Sequence, residues 1–363
     1  MKKCILILGI LICNACDKDV NDPLEDFTCQ AENITAKSER TIGIDLLDLT
    51  ENNTFDQNIM IAKDLGVEFI ALHLTWLSIE PTPNTYEDPF DALELLSQYA
   101  AANNLKFSLT IRPIDLTGKT VPTDLDNTRF NDVKMINRFK SVVDFIFSKL
   151  PPSILLNLQI GNEIDGYNTS IEPSSFWDDY SIFLQEITAY AHTYDLNLKI
   201  GFTGTFKGMI SNPDLYKDLL QNVDILGVTY YPLQNDFSVK DPDVVFHDFD
   251  DLVSTFGDYP IYLQEIGYQS SPENNSSETK QAMFYCNLFK AWDIHPQKIK
   301  AINMVRLNDL SLQSAEESAG PYGISNNKFI EYLRTLGIRT FQNEGTNKEV
   351  FQVIKENMSQ RGW

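Results

Sequence analysis

The chain contains the stretch Ile154-Leu155-Leu156-Asn157-Leu158-Gln159-Ile160-Gly161-Asn162-Glu163-Ile164-Asp165, a mostly apolar run that ends in polar and acidic residues. A run of this kind is typical of a parallel strand, because parallel strands are usually covered on both faces. The residues that follow such strands meet at one edge of the sheet. The stretch therefore predicts a buried parallel strand over Ile154–Glu163, with candidate functional residues at its end.

Seven further runs have a similar composition, and we predict strands at Thr41–Leu47, Phe69–Trp76, Lys106–Pro113, Leu198–Thr203, Ile225–Tyr231, Ile261–Gly267 and Ala301–Leu307. Between them lie stretches with apolar residues three and four positions apart, which predict helices; examples are Asp88–Ala102, Asp132–Leu150, Ser175–Ala191 and Glu278–Trp292. Eight alternating units in about 300 residues fit a single (β/α)8 barrel, a TIM barrel of the α/β class. A doubly wound sheet is disfavoured, because leucines rather than a glycine-rich phosphate-binding turn follow Gly43-Ile44-Asp45.

The composition is that of a folded protein, since the 363 residues are 43% hydrophobic and 22% charged. Lys and Arg number 29 against 51 Asp and Glu, which gives a formal net charge of −22. A nucleic acid or an anionic membrane surface would need a basic face, so neither is expected as a partner. We expect a signal peptide at residues 1–15, a tether at 16–40 and the barrel at 41–363, with the protein acting as a monomer.

The N-terminus has the pattern of an export signal. Met1-Lys2-Lys3 is basic and Cys4–Cys13 is almost wholly apolar, but about ten apolar residues are too few to span a bilayer stably. Ala15 followed by Cys16 resembles a bacterial lipoprotein signal, which implies lipidation of Cys16; an ordinary secretory signal cut nearby is the alternative. We therefore expect a protein exported to the bacterial cell envelope, on the periplasmic or cell-surface side, with membrane contact only through its lipid anchor.

Cys29 and Cys286 are the cysteines that remain after the signal segment. They could pair in an oxidising compartment, but 257 residues separate them and the sequence alone does not bring them together. We therefore expect free thiols. Apart from Cys13-Asn14-Ala15-Cys16 in the signal segment, the sequence has no CxxC pair, and it has no HExxH motif; it therefore predicts neither a metal site nor an organic cofactor.

Two glutamates end predicted strands in the same way. Glu163 follows the fourth strand and Glu265 follows the seventh. Burying an unpaired carboxylate is costly, so two of them at one mouth of a barrel require a functional reason. When two carboxyl groups share a cavity, their pKa values separate, and one serves as a proton donor while the other serves as a nucleophile. Such a pair is the machinery of glycoside cleavage.

Asn162-Glu163 after the fourth strand and Glu265 after the seventh resemble clan A of the retaining glycoside hydrolases, over about Thr41 to Thr340. The resemblance implies that Glu163 is the acid/base, that Glu265 is the nucleophile and that Asn162 donates a hydrogen bond to the sugar 2-hydroxyl. It also implies a β-linked glycan as substrate and hydrolysis by double displacement.

Two motifs are loosely similar to those of family 53 endo-β-1,4-galactanases. They are Gln159–Glu163 on the fourth strand and Gly227–Pro232 on the sixth. The resemblance implies that Tyr230 or Tyr231 donates a hydrogen bond that keeps the nucleophile ionised; ordinary packing at the barrel rim is the alternative for each tyrosine. Because members of that family are endo-enzymes, the similarity favours cleavage within a polysaccharide chain.

Four further residues at strand ends are candidates for substrate binding: Asp45, His73, Trp76 and Arg112. The arginine that many clan members carry on strand two is absent, so Arg112 is its candidate replacement; a salt bridge to Asp115 or Asp45 is the alternative. Trp76 could stack on a sugar ring or plug the barrel mouth. Asp45 could accept a hydrogen bond from a sugar hydroxyl, and His73 could point into the cavity or outward beneath a helix.

The sequence thus predicts a retaining glycoside hydrolase that cleaves β-linked polysaccharide or oligosaccharide, with endo-action expected. An exo-acting β-glycosidase is the alternative among enzymes of this type. A lipid-tethered glycan-binding protein without catalysis is a further alternative, as is a barrel enzyme with a non-sugar substrate. The presence of both carboxylates disfavours these last two. Retention requires about 5–5.5 Å between the two carboxyl groups.

Overall fold

The computed structural model describes residues 27–30, 33–167 and 175–363. Its sheet has eight parallel strands, β1 (Thr41–Ile44), β2 (Phe69–Thr75), β3 (Lys106–Asp115), β4 (Leu155–Asn162), β5 (Lys199–Thr205), β6 (Ile225–Tyr230), β7 (Ile261–Ile266) and β8 (Ile299–Met304). The order of these strands is β2-β1-β8-β7-β6-β5-β4-β3, and β2 also pairs with β3, which closes the barrel. A two-residue antiparallel strand, Gly118–Lys119, pairs with the end of β3. The prediction of a single (β/α)8 barrel is therefore confirmed.

Twelve α-helices are present in the described residues: α1 (Phe55–Leu65), α2 (Trp76–Ile79), α3 (Ala92–Asn103), α4 (Val133–Lys149), α5 (Phe176–Ala191), α6 (Phe206–Ser211), α7 (Pro213–Leu220), α8 (Val244–Phe256), α9 (Glu278–Ile294), α10 (Leu312–Ala319), α11 (Asn327–Arg334) and α12 (Glu349–Arg361). Local signals fix their ends. Thr54 forms a capping box with Gln57 at the start of α1, and Gly66 ends that helix in the left-handed conformation. None of these helices combines the length and apolarity that a membrane span requires.

Polar side chains fill part of the barrel interior. The Ser108 hydroxyl donates a hydrogen bond to Asn157 Oδ1 at 3.0 Å, and the Gln264 amide donates to Ser108 Oγ at 2.7 Å. Glycine at position 201 is a steric requirement, because a Cβ there would lie 2.6 Å from Gln159 Oε1. Buried polar groups are stable only when they are hydrogen-bonded, so these pairings fix which side chains occupy the core beneath the mouth.

The N-terminal base of the barrel holds a buried ion cluster. Arg40 immediately precedes β1, and its guanidinium lies 2.9 Å from the Asp293 carboxylate. Arg361, in the last turn of α12, contacts the same carboxylate at 2.6 Å. The Arg40 guanidinium also lies 4.8 Å from the ring centre of Trp292. One buried carboxylate therefore joins β1, α9 and α12 at the base.

Cys29 and Cys286 form a disulfide, so the expectation of free thiols is wrong. The fold supplies what the sequence could not, because it brings the segment before β1 against α9, with the two Cα atoms 5.8 Å apart. The described part of the segment assigned to the tether contacts the barrel elsewhere too, since the Thr35 hydroxyl donates a hydrogen bond to the Asp293 carbonyl. The signal segment at residues 1–15 and Cys16 lie outside the described residues.

The connection between β8 and α12, residues 305–348, is unusually long, and we call it the β8 excursion. It contains α10 and α11 and has an apolar cluster of its own. The Lys348 ammonium, buried at its end, donates hydrogen bonds to Asp309 Oδ1 at 2.7 Å, to the Gly337 carbonyl at 2.8 Å and to Ser270 Oγ at 3.0 Å. These bonds tie the excursion to the loop that follows β7.

Candidate active site

A cavity of about 970 Å³ opens at the C-terminal mouth of the barrel. Residues from the ends of all eight strands line it, and the β8 excursion supplies a further wall. Eight of the predicted site residues lie on its surface: Asp45, His73, Arg112, Asn162, Glu163, Tyr230, Tyr231 and Glu265. A concave site of this size, with several convergent titratable groups, is the usual form of a ligand-binding site.

The backbone at the end of β4 directs Glu163 to this cavity. Gly161 has a φ of +86°, and a Cβ at that position would lie 2.4 Å from the Tyr180 hydroxyl oxygen. Glu163 itself adopts the left-handed conformation, with φ +46°. Non-glycine residues rarely occupy this region, and those that do are concentrated at functional sites. The kink therefore ends the strand and turns the glutamate away from the sheet.

Thr229 links the two glutamates. Its hydroxyl donates a hydrogen bond to Glu163 Oε1 at 2.8 Å, and its Cα is the register partner of Glu265 on the adjacent strand. Neighbouring strands lie about 4.8 Å apart. The two carboxyl groups are thus arranged around one residue of β6, where each affects the ionisation of the other.

Tyr231 and Arg112 contact Glu265. The Tyr231 hydroxyl donates a hydrogen bond to Glu265 Oε2 at 2.7 Å, and Arg112 Nη2 lies 3.6 Å from Glu265 Oε1. The Tyr230 hydroxyl instead donates to Asp248 at 2.8 Å. The choice that the sequence left open between the two tyrosines is therefore made by geometry in favour of Tyr231.

The surroundings of the two glutamates differ in charge. Burial, followed by the charge of Glu265, raises the pKa of Glu163 to about 8. Burial also raises the pKa of Glu265, but Arg112 and the Tyr231 hydrogen bond oppose that rise. Cations and donated hydrogen bonds favour the ionised form. Burial thus favours the protonated form of both carboxyl groups, and Glu265 is the one of the two that a cation and a tyrosine hydroxyl contact.

Asp115 organises the strand-three side of the cavity. Its carboxylate accepts a hydrogen bond from Arg112 at 3.1 Å and another from the Asn162 amide at 3.3 Å. Arg112 therefore forms the salt bridge with Asp115 that was the alternative and also lies 3.6 Å from Glu265, while its role in substrate binding stays a prediction. The sequence identified Asp115 only as a competing partner, because a residue's role in orienting two others depends on their positions in space.

Asp45 and His73 lie on the neighbouring wall. Asp45 accepts a hydrogen bond from the backbone N–H of Leu47 at 3.0 Å, and burial together with the charge of Asp48 raises its pKa to about 7. Burial and the nearby Arg112 charge lower the pKa of His73 well below its usual value, so the imidazole is neutral. His73 thus faces the cavity rather than a helix, and both side chains offer polar atoms to a ligand.

Trp76 is the predicted site residue that does not line the cavity. It is fully buried, its ring lies 5.0 Å from that of Phe139, and its indole N–H donates to Glu80 at 2.8 Å. A ring enclosed on all sides cannot stack on a sugar, so the stacking interpretation is wrong and Trp76 belongs to the packing between barrel and α4. At the end of a strand, the sequence does not show whether a side chain points inward or under a helix.

Apart from Tyr231, the aromatic side chains of one wall of the cavity were not identified by sequence analysis. Five aromatic side chains from the β6 loop and the β8 excursion line one side: Tyr231, Phe237, Tyr322, Phe329 and Tyr332. The last three belong to an excursion whose position over the barrel has no periodic signal in the sequence. Within the described part of the chain, no group of three or more His, Cys, Asp or Glu side chains is arranged to hold a metal ion.

This protein resembles known proteins in its fold rather than in its sequence. Neither a scan against protein-family models nor a search of curated proteins finds a match to this sequence. Among solved structures, an exo-beta-1,4-mannosidase from Opitutaceae bacterium strain TAV5 superposes with a TM-score of 0.64 at 15% identity, over 89% of this chain and 59% of that one. The chain thus spans less than two thirds of that protein.

This chain covers a larger share of two more solved structures. A GH5_18 protein from Bifidobacterium longum subsp. longum, solved in complex with Manb1-4GlcNAc, gives a TM-score of 0.65 at 13% identity, over 88% of this chain and 78% of that one. The GH53 catalytic domain from Ignisphaera aggregans superposes with a TM-score of 0.62 at 14% identity, over 92% of this chain and 98% of that domain. At these identities the similarity establishes the fold, and it agrees with the barrel that the clan A resemblance implied.

Proposed function

We propose that this protein is a retaining glycoside hydrolase that cleaves a β-linked glycan by double displacement. The observation that carries the proposal is the unequal pair of buried carboxyl groups, Glu163 and Glu265, at the ends of β4 and β7 in one cavity. The clan A resemblance and the glycoside hydrolase neighbours support it. Two buried carboxyl groups with different surroundings in one cavity suit acid/base and nucleophilic catalysis, which a glycan-binding protein does not need.

In the first step, Glu265 attacks the anomeric carbon while the bond from that carbon to the leaving oxygen breaks. Glu163 gives its proton to the departing oxygen, which leaves as a hydroxyl group. The contacts from Tyr231 and Arg112 favour the ionised form of Glu265 that makes the attack. The product of this step is a glycosyl ester of Glu265 and an ionised Glu163.

In the second step, Glu163 takes a proton from a water molecule, and the resulting hydroxide attacks the anomeric carbon. The ester bond breaks, Glu265 is released as a carboxylate, and Glu163 is again protonated. Two inversions at the same carbon give net retention. The Thr229 hydrogen bond to Glu163 stabilises the ionised form that exists between the two steps.

For the mode of cleavage, we propose endo-action on a β-linked polysaccharide. The family 53-like motifs support it, and so does the GH53 neighbour, of which 98% is covered. Exo-action is the second candidate, because the neighbours include a protein named as an exo-beta-1,4-mannosidase and one named as a beta-glucosidase.

The experiment uses the chain beginning after Cys16 on a panel of β-1,4-galactan, β-mannan, xylan and β-1,3-glucan. Reducing ends are counted and the products are chromatographed, with Glu163→Gln and Glu265→Gln as inactive controls. Mixed short oligosaccharides from one polymer support endo-action, and accumulation of a single mono- or disaccharide supports exo-action. Activity that survives in both variants would overturn the proposal, and binding without hydrolysis would indicate a glycan-binding protein.

We also propose that the protein is exported and lipid-anchored at Cys16. We further propose that it acts as a monomer. The basic and apolar N-terminus supports export, and so does the Cys29–Cys286 disulfide, because disulfides persist in oxidising compartments. Metabolic labelling with a radioactive fatty acid tests the anchor, with Cys16→Ala as the control. Label that remains in the Cys16→Ala variant would contradict it, and light scattering of the soluble form tests the monomer.

A further inference from the structure

Tyr322 is a partly exposed aromatic residue on the wall of the cavity. It ends the short turn Gly320–Tyr322 that joins α10 to α11 in the β8 excursion, and its side chain lines the cavity. It is 42% exposed, whereas Tyr230, Tyr268 and Tyr285 are almost completely buried. A large aromatic ring left partly open on the wall of a cavity presents an apolar surface to whatever enters.

Other aromatic residues of the β8 excursion pack against the Tyr322 ring. The Tyr322 ring contacts the edge of Phe329 at a centroid distance of 5.1 Å, and Phe329 packs on Tyr332 at 5.8 Å. Tyr332 in turn meets Tyr231 at 5.7 Å, and Tyr231 is the residue bound to Glu265. A continuous chain of rings therefore connects Tyr322 to the side chain that positions the catalytic pair.

Tyr322 lines the same cavity as Glu163 and Glu265. Burial raises the pKa of its hydroxyl, and the charges of Glu163 and Glu265 raise it further. Among the described residues, none accepts a hydrogen bond from the Tyr322 hydroxyl, whereas the similarly exposed Tyr194 donates one to Asp144 at 2.6 Å.

We propose that Tyr322 is a substrate-stacking residue, whose ring packs against the apolar C–H face of a pyranose unit bound in this cavity. The inference deepens the proposed function and rests on it. It assigns the β8 excursion a role in substrate binding, since the excursion supplies aromatic side chains to a cavity that also contains the polar side chains of Asp45, His73 and Arg112. A sugar ring, with hydroxyls at its edge and C–H groups on its faces, has groups that match both kinds of surface.

The test measures oligosaccharide binding in the Glu163→Gln background by titration calorimetry, with the oligosaccharide that corresponds to the polymer cleaved in the panel. If none is cleaved, cellohexaose, mannohexaose, xylohexaose and galactohexaose are used in turn. Tyr322→Ala is expected to weaken binding at least ~10-fold, and Tyr322→Phe is expected to stay within about twofold, because the ring rather than the hydroxyl makes the contact. Tyr194→Ala is the matched control, since that tyrosine is 46% exposed and lies outside the cavity.

In the active enzyme, Tyr322→Ala should raise KM with a smaller effect on kcat, while the unfolding temperature stays within about 2 °C of the wild type. Binding by Tyr322→Ala within twofold of the reference would overturn the inference, and so would a Tyr322→Phe variant as weak as the alanine variant. If the wild type cleaves no glycan but binding depends on the Tyr322 ring, the proposed function fails and the stacking role stands. If no variant binds any oligosaccharide, both fail.

Discussion

The base and the mouth of this barrel both bury carboxylates, but they surround them differently. At the base, Asp293 lies between Arg40 and Arg361, and each guanidinium is within 2.9 Å of it. At the mouth, Glu163 and Glu265 share one cavity, and Arg112 lies 3.6 Å from Glu265. Removing one partner of a buried ion pair destabilises a fold, whereas like charges that share a cavity acquire shifted pKa values and are candidates for catalysis.

Buried carboxylates therefore have two roles in this barrel: the one at the base stabilises the fold, and those at the mouth are candidates for catalysis. Substitutions at the base should change the free energy of unfolding and leave the reaction of the folded protein alone. Substitutions at the mouth should abolish or retune the reaction and leave unfolding nearly unchanged.

The largest effect is expected at the mouth. Glu265→Gln should lower kcat/KM at least ~10⁴-fold, because an amide cannot form the glycosyl ester. The unfolding temperature should not fall, since the variant removes one of two crowded carboxyl groups. The measurement is hydrolysis of the active polymer together with thermal unfolding. Glu186→Gln, at an exposed ion pair with Lys140, is the control; a loss of activity there would indicate a nonspecific effect.

The next effect is expected at the base. Asp293→Asn leaves Arg40 and Arg361 buried without a charged partner, and we expect a loss of about 3–5 kcal/mol in the free energy of unfolding, with kcat unchanged. Denaturant titration measures it. Asp64→Asn, which breaks an exposed pair with Lys355, should change stability by less than about 1 kcal/mol. Equal losses in the two variants would contradict the distinction between buried and exposed pairs.

The disulfide should contribute somewhat less. Replacing Cys29 and Cys286 together with serine is expected to lower the free energy of unfolding by about 2–4 kcal/mol, because the crosslink restricts the unfolded chain. The activity per folded molecule should stay the same, since both cysteines lie away from the mouth. A double variant with wild-type stability would show that the crosslink does not form in the protein.

Tyr231→Phe should reduce kcat/KM by about 10–100-fold. Loss of the hydrogen bond to Glu265 disfavours its ionised form, so the acidic limb of the pH profile should move to higher pH. Tyr230→Phe is a matched control, because that hydroxyl bonds to Asp248 instead. A shift of the limb in the Tyr230 variant alone would reverse the assignment of the two tyrosines.

The smallest effect concerns Thr229. Activity should fall as pH rises through about 8, where Glu163 loses its proton. The Thr229 hydroxyl donates to the ionised carboxylate and so lowers that pKa, and Thr229→Val should move the basic limb to higher pH by less than about one unit. Thr203→Val, inside the barrel, is the control. A downward shift in the Thr229 variant would mean that the hydrogen bond stabilises the protonated form.

The sequence predicted the barrel because many strand interiors are apolar runs and stretches with helical spacing alternate with them. Strand ends were less certain. The eighth strand was expected at Ala301–Leu307 and lies at Ile299–Met304, because the chain leaves the sheet before Arg306. The positions of Glu163 and Glu265 followed from the rule that strand ends meet at one mouth, and the rule needs no knowledge of the loops.

What could not be predicted depends on loops and on distance. The pairing of Cys29 with Cys286 requires the segment before β1 to cross to α9, and no local pattern encodes that crossing. Thr229 and Asp115 act through partners on other strands, so their roles appear only in three dimensions. Trp76 was misjudged, since the sequence shows that a residue ends a strand but not which side it faces.

The most direct test of the central claim is to trap the covalent intermediate. A 2-deoxy-2-fluoro-β-glycoside with a good leaving group, made from the sugar that the enzyme releases, should esterify the nucleophile and hydrolyse slowly. The account predicts a mass increase of one glycosyl unit, located on the peptide that contains Glu265 and absent in Glu265→Gln. Glycosylation of a different residue would contradict the assignment, and an initial α-anomeric product from the natural substrate would contradict retention.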